Sequence, residues 1–323
     1  MRFIVYGAGA VGGVIGARLA QQGREVVLIA RGEHLVAMRQ KGLTIVDSDR
    51  TSTLRVAAVG HPGEIRWRDD DVVLLTMKSQ DTADALDALR VATDRELPIV
   101  CAQNGVANER MAARRYRSVY GMLIWLPSAF LEPGQVVAYS APVTGLLDAG
   151  AFPNGRDALI AEVTAALDAS GFSARPQERI LYWKYKKLLS NLYNALRAVL
   201  GEEPAAAEFG RHVRAEAVAC FEAAGIEWAS DEEEEKRREE AGVQIRAVAG
   251  QPPVLGSSWQ SLERKVGTIE TDYLNGEIVL LGRLHGVPTP YNRALQRAAN
   301  RLAQEGRKPG SLSLAELEAL VMR

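Results

Sequence analysis

Arg2-Phe3-Ile4-Val5-Tyr6-Gly7-Ala8-Gly9-Ala10-Val11-Gly12 is the stretch that decides the fold. An apolar run of strand length leads into G-x-G-x-x-G, and an amphipathic stretch, Val11–Gln22, follows it. Gly7 permits the tight turn, Gly9 lets a pyrophosphate approach the backbone, and Gly12 lets helix and strand pack closely. The helix N-terminus then offers its unpaired amides to the phosphates. Gly7, Ala8, Gly9, Ala10, Val11 and Gly12 are thus expected to hold a dinucleotide. A glycine turn without a ligand is the plainer alternative, but a second strand, Glu25–Ile29, follows one crossover later.

Outward from that unit the alternation continues. Val72–Met77, Pro98–Ala102 and Val119–Ile124 read as further buried parallel strands. His34–Gln40, Asp81–Val91 and Ala107–Arg114 read as helices between them. Leu43–Val46 and Thr53–Val59, separated by Asp47-Ser48-Asp49-Arg50, suggest an inserted hairpin. Strand-like runs continue past Pro133-Gly134 to Leu147, and from Arg179 the pattern is helical. The expected class is α/β: a Rossmann domain with a parallel sheet over residues 1–177, and an all-helical domain over 178–323. The charged run Asp231–Glu240 reads as a solvated helix face rather than an acidic tail.

Composition narrows the class. The 323 residues suit two domains, and 47% hydrophobic with 24% charged residues are globular values. A net charge of −1 gives no reason to expect nucleic acid or an anionic membrane as partner. Two cysteines, Cys101 and Cys220, make no disulfide scaffold and suit a reducing, cytoplasmic setting. Met1–Tyr6 lacks the apolar core of a signal peptide, and no uncharged apolar run reaches the roughly 18 residues of a membrane span.

Polar residues at the strand ends carry the functional expectations. After the second strand, where an NAD site usually has an acidic group, stands Arg31. Its guanidinium suits a ribose 2′-phosphate, with no carboxylate at that point to repel it, Glu33 two residues on being placed for the first turn of the following helix, so NADP(H) is the expected cofactor. A solvated loop arginine is the alternative. Lys78 follows the third main strand and Asn104 the fourth, placed for cofactor or substrate; a surface lysine and an Asn-Gly turn are the alternatives.

Ile180–Leu200 forms a long helix with an apolar face and, beside it, Lys187, Asn191 and Asn194 at i, i+4 and i+7. A lysine there can protonate a ketone oxygen while amides orient the substrate. A snorkelling lysine is the alternative, with Lys184 and Lys186 as nearby competitors. Further on, the residues alone favour Ser258 as a helix cap and Glu270 as a first-turn residue facing solvent, with a functional role as the alternative.

Gly7–Gly12, Lys78 in TMKSQ, Asn104-Gly105, KLLSN at Lys187–Asn191, Ser257-Ser258 and IETDYLNG from Ile269 to Gly276 together resemble the ketopantoate reductase family over nearly the whole chain. The resemblance implies NADPH-dependent reduction of 2-dehydropantoate to pantoate, a step of pantothenate biosynthesis, with the active site between the two domains. It implies Lys187 as proton donor with Glu270, and Asn104, Asn191, Ser258 and Glu270 as substrate contacts, beside which Asn194 is expected from its place in the row on the long helix. Arg31 and Asn104 match cofactor-side positions. The chain departs from the pattern where the family's second asparagine falls on Ala195, with Asn194 one residue earlier, and Gly201–Glu208 holds no asparagine. The expected partner is a small 2-keto acid, and a helical second domain makes a homodimer one expectation. A silent NADP(H)-binding sensor and a Rossmann dehydrogenase for 3-hydroxy acids or opines stay open.

Overall fold

The computed structural model describes residues 1–253 and 255–322. The chain divides into two compact units: Met1–Gln103 with Asn108–Trp183 and Ser230–Val254, and Asn104–Ala107 with Lys184–Ala229 and Leu255–Arg323. The chain thus passes between units several times, rather than once at 177/178.

The first unit opens with β1 (Arg2–Tyr6), α1 (Ala10–Gln21), β2 (Val26–Ile29), α2 (Gly32–Lys41), β3 (Leu43–Val46), β4 (Thr51–Leu54) and β5 (Ala57–Val59). It continues with β6 (Asp71–Leu75), α3 (Thr82–Ala92), β7 (Ile99–Cys101), α4 (Asn108–Ala113) and β8 (Val119–Met122). Then come β9 (Ser128–Ala129), β10 (Gln135–Ala138), β11 (Ala149–Ala151) and α5 (Ala158–Asp168). The main sheet has the order β11-β8-β7-β6-β1-β2-β5. All its pairings are parallel except β11 with β8. Side chains alternate across it: Phe3 and Val5 enter one core with α1 and α5, and Ile4 enters the other with α3. Strand order reverses between β1 and β6, the switch point beyond which such sheets bind ligands. Tyr6 is in register with both Ile29 and Leu75, so β2, β1 and β6 end level there.

The expected hairpin is shorter than the sequence suggested. β4 pairs antiparallel with β3, but Ala57–Val59 leaves it and pairs parallel with β2. The reason is the open edge of β2, whose backbone groups need partners. Asp47 Oδ1 accepts from the amides of Asp49 (2.9 Å) and Arg50 (2.8 Å), which shapes the hairpin turn. Residues 148–178, to which the sequence reading assigned no element, hold β11 and α5. Asp157 caps α5 by accepting from Ile160 N.

α6 (Ile180–Leu200) passes from one unit to the other, α7 (Ala206–Ala223) follows, and α8 (Asp231–Ala241) returns to the first unit. A capping box, Ser230 with Glu233, starts α8, and Gly242 at φ 65° ends it. The helix is largely solvated as expected, but Ala241 at its end is buried, and Arg237 is buried and holds both oxygens of buried Asp148 at 2.7 and 2.8 Å. Removing one partner of such a pair typically costs about 3–5 kcal/mol, so this contact anchors the charged helix. α9 (Ser257–Glu263), α10 (Asn275–His285), α11 (Pro290–Gln304) and α12 (Leu314–Val321) complete the helical unit. Among the described residues no helix is long and apolar enough to cross a membrane.

Candidate active site

In the first unit the glycines have separate reasons. Gly7 has φ +105°, and a Cβ there would lie 2.7 Å from Met77 N. A Cβ on Gly12 would lie 2.3 Å from Thr76 Oγ1. Thr76 Oγ1 in turn donates to the carbonyls of Tyr6 (3.0 Å) and Gly7 (2.9 Å), which fastens the turn to the end of β6. At Gly9 a Cβ would meet nothing within 4 Å. Gly9 is the N-cap of α1, no side chain caps that helix, and its first turn, with Ala10 and Val11, has no acidic residue. Open space over uncapped amides fits a dinucleotide pyrophosphate.

Ala8 differs from its neighbours in being buried, with its carbonyl taken by His34 Nε2 at 2.7 Å. Nδ1 of the same ring accepts from Gly134 N at 2.8 Å, and the ring lies 4.4 Å from Phe130. These two bonds require the neutral Nε2–H tautomer. Burial pushes the His34 pKa below its ordinary value, and the Ala8 carbonyl partly offsets this. Sequence reasoning saw His34 only as part of a helix.

Lys78 is half-buried and heads a short 3-10 turn, Ser79–Asp81. Behind the turn lies a buried polar network. Gln103 Nε2 donates to Met77 O (2.9 Å) and Thr82 Oγ1 (2.8 Å). Thr82 donates to Asn108 Oδ1 (2.9 Å), and Asn108 to Ser79 Oγ (3.0 Å). The backbone on both sides of Lys78 is thereby held. Cys101 is buried in β7. Arg31, beyond β2, is exposed and pairs with Asp81 at 3.6 Å. The expectation that no carboxylate opposes Arg31 is therefore corrected: Asp81 is fifty positions away in sequence, and the level ends of β2, β1 and β6 bring it near. Tyr6 reports the same neighbourhood. Burial raises its phenol pKa, Arg31 lowers it, and Asp81 and Asp84 raise it again.

In the helical unit the amides form a chain. Asn191 Nδ2 donates to Asn104 Oδ1 (3.1 Å), and Asn194 Nδ2 to Asn191 Oδ1 (3.4 Å). Asn104 belongs to this unit, and a Cβ on Gly105 would lie 3.0 Å from Tyr273 O. A Cβ on Gly256, the N-cap of α9, would lie 3.5 Å from Asn194 Oδ1. Asn104, both α6 asparagines, the start of α9 and the Glu270–Tyr273 turn therefore share one neighbourhood. Lys187 stands one helical turn before Asn191 and is half-buried, whereas Lys184 and Lys186 are buried.

Two alternative readings fail here. Ser258 caps nothing: Gly256 is the N-cap, and Ser258 lies inside α9, 1% exposed. Its Oγ is buried with no hydrogen-bond partner among the described residues. Glu270 does not face solvent. It is 4% exposed at the head of a 3-10 turn (Glu270–Tyr273), where a regular helix was expected.

A second network, unread in the sequence, supports that turn. Thr271 Oγ1 donates to Asn275 Oδ1 (3.4 Å), and Asn275 Nδ2 to Asn292 Oδ1 (3.0 Å) and Leu192 O (3.5 Å). Asn292 Nδ2 donates to Val213 O (2.9 Å) and Glu216 Oε2 (2.8 Å). Glu216 also accepts from the amides of Tyr291 (2.8 Å) and Asn292 (2.9 Å). The network joins the Glu270 turn to α6, α7 and α11.

Comparison with known proteins accounts for both units. Residues 3–152 match ketopantoate reductase PanE/ApbA, and residues 179–303 match its C-terminal part. The chain belongs to the ketopantoate reductase family, a family of oxidoreductases. A 2-dehydropantoate 2-reductase of Archaeoglobus fulgidus is 29% identical over 304 residues, covering 91% of this chain and 95% of that protein. One from Pyrococcus horikoshii is 30% identical over 201 residues, covering 62% of this chain and 64% of that protein. The crystal structure of a PanE/ApbA family ketopantoate reductase from Ralstonia eutropha JMP134 superposes with a TM-score of 0.77 at 28% identity, covering 95% of this chain and 99% of that one. D-mandelate dehydrogenase with NADH shares the fold, with a TM-score of 0.76 at 22% identity over 94% of this chain and 99% of that one.

Proposed function

We propose that this ketopantoate reductase family member reduces a 2-keto acid to the 2-hydroxy acid, 2-dehydropantoate to pantoate in the first instance, with NADPH as the preferred reductant. The observation that carries this reading is the Ser258 hydroxyl. A buried hydroxyl without a partner costs about 1–3 kcal/mol, and a substrate oxygen bonded to it removes that cost. It stands in α9, whose N-cap adjoins Asn194 of the amide chain.

A bound nicotinamide supplies the hydride. Lys187 gives the proton to the carbonyl oxygen and stabilises its developing negative charge. Half-burial suits that task better than the full burial of Lys184 and Lys186, because a spent donor must regain its proton from solvent. Asn104, Asn191 and Asn194 orient the substrate without adding charge, and Ser258 and Glu270 contact its polar groups. On the first unit, the turn at Gly7–Gly12 and Lys78 hold the phosphate and nicotinamide side of the dinucleotide. Arg31 takes the ribose 2′-phosphate.

NADPH oxidation measured across 2-keto acids, with ketopantoate first, tests the reading. Lys187→Ala should lower kcat by about a hundredfold or more on the accepted acid. A kcat within a few-fold of wild type removes Lys187 from the role of proton donor. NADPH binding with no turnover on any acid would instead favour a silent sensor.

A further inference from the structure

Arg31 does not stand alone at the end of β2. Its guanidinium lies 3.6 Å from Asp81 Oδ1, with the two side chains 78% and 44% exposed. Asp81 is also the N-cap of α3, where an aspartate ordinarily accepts from a first-turn amide, yet its side chain caps nothing. The carboxylate faces Arg31 instead. Asp81 reaches this place because β6, which precedes it, lies beside β1, and β1 lies beside β2.

We infer that Asp81 is a specificity-determining residue of the nucleotide site, whose carboxylate competes with a ribose 2′-phosphate for Arg31 and accepts a hydrogen bond from a ribose 2′-hydroxyl, so that the chain binds NADH as well as NADPH. The inference rests on the dinucleotide site proposed above and modifies its selectivity. Arg31 and Asp81 together carry no net charge. A 2′-phosphate of nearly two negative charges gains the guanidinium only by displacing the carboxylate, which then remains close by. A 2′-hydroxyl meets no such repulsion and finds an acceptor, the role an acidic residue plays in NAD sites. Exposure keeps the effect moderate, since solvent and salt screen the pair.

Isothermal titration of the full chain with NADPH and with NADH tests this without any keto acid. Wild type should bind both. Asp81→Asn should shift the ratio of the two dissociation constants toward NADPH by about two- to fivefold, the size of an exposed charge effect. Arg31→Ala should shift it toward NADH. Asp84→Asn removes an equal charge from the same helix and reports the general field alone. An Asp81→Asn shift smaller than this, or no larger than that of Asp84→Asn, overturns the inference. Wild type that binds neither nucleotide overturns the dinucleotide site itself, and that failure shows before any variant is made. Melting temperatures of the variants confirm that each is folded.

Discussion

His34 holds the turn at Gly7–Gly12, where the dinucleotide site is proposed, from outside the glycine motif. Its Nε2–H holds the Ala8 carbonyl while Nδ1 takes the Gly134 amide, so the peptide that leads into α1 is fixed. His34→Leu leaves two buried backbone groups without partners, at about 1–3 kcal/mol each. Its Kd for NADPH should rise about tenfold or more in titration, with the KM for the keto acid nearly unchanged; His34→Gln, which can donate and accept, should recover much of the loss. Unchanged affinity in His34→Leu would show that the clamp does not shape the turn. The pH dependence has a definite sign. Burial lowers the folded pKa below 6.5, so the unfolded chain binds more protons as pH falls past that value. The stability His34 contributes is present above 6.5 and is lost as pH falls through the folded pKa. Melting temperature should therefore drop less between about pH 7 and about pH 5 for His34→Gln than for wild type, and equal drops would refute the assignment. The steric need for glycine at Gly7, and the place of Lys187 and Asn191 one turn apart on a single helix, were legible in the sequence. Neither His34 nor Asp81 was, because each acts through a partner distant in sequence.

Among the elements, α11 starts in an unusual way. Pro290 opens it, its own Thr289 makes no side-chain cap, and Glu216 from α7 accepts the amides of Tyr291 and Asn292. One carboxylate thus caps a helix and ends the network that runs through Asn292 and Asn275 to the Glu270 turn. Burial pushes the Glu216 pKa up, and the bonds from Asn292 and Tyr291 draw it back down. Asn292→Ala should lower the urea midpoint, with a loss of about 2 kcal/mol, and raise the KM for the keto acid through the Glu270 turn. Loss of stability with an unchanged KM would confine the network to structure. Periodicity and glycine turns made β1, α1, β2 and α6 readable almost to their ends. The same cues missed α5, and they ran β4 into β5, because a short exposed strand and an edge-pairing strand look alike before a partner is known. Ser258 and Glu270 each offered a local role, as cap and as surface acid, and tertiary packing gave them neither.

At the scale of the whole molecule, bound nucleotide should stabilise the fold that binds it. NADPH at a hundred times its Kd should add about 2.7 kcal/mol to the first unit and raise its melting temperature, and a nucleotide without that effect is not a ligand of the native state. The division into units follows packing rather than chain order. Four residues, Asn104–Ala107, group with the helical unit, and Ser230–Val254 groups with the first unit, anchored by Arg237 on Asp148. By itself, the sequence determined the strand–turn–helix at Gly7–Gly12, the α/β class, and the row of Lys187, Asn191 and Asn194. These rest on local rules: strand and helix periods, the steric freedom of glycine, and fixed spacing along one helix. Only the tertiary structure decided that Asp81 faces Arg31, that His34 clamps Ala8, that Ser258 is buried without a partner, and that the Glu270 turn hangs on Glu216. Each of these depends on which elements become neighbours, and that follows from burying several apolar faces at once, which no single stretch of sequence specifies.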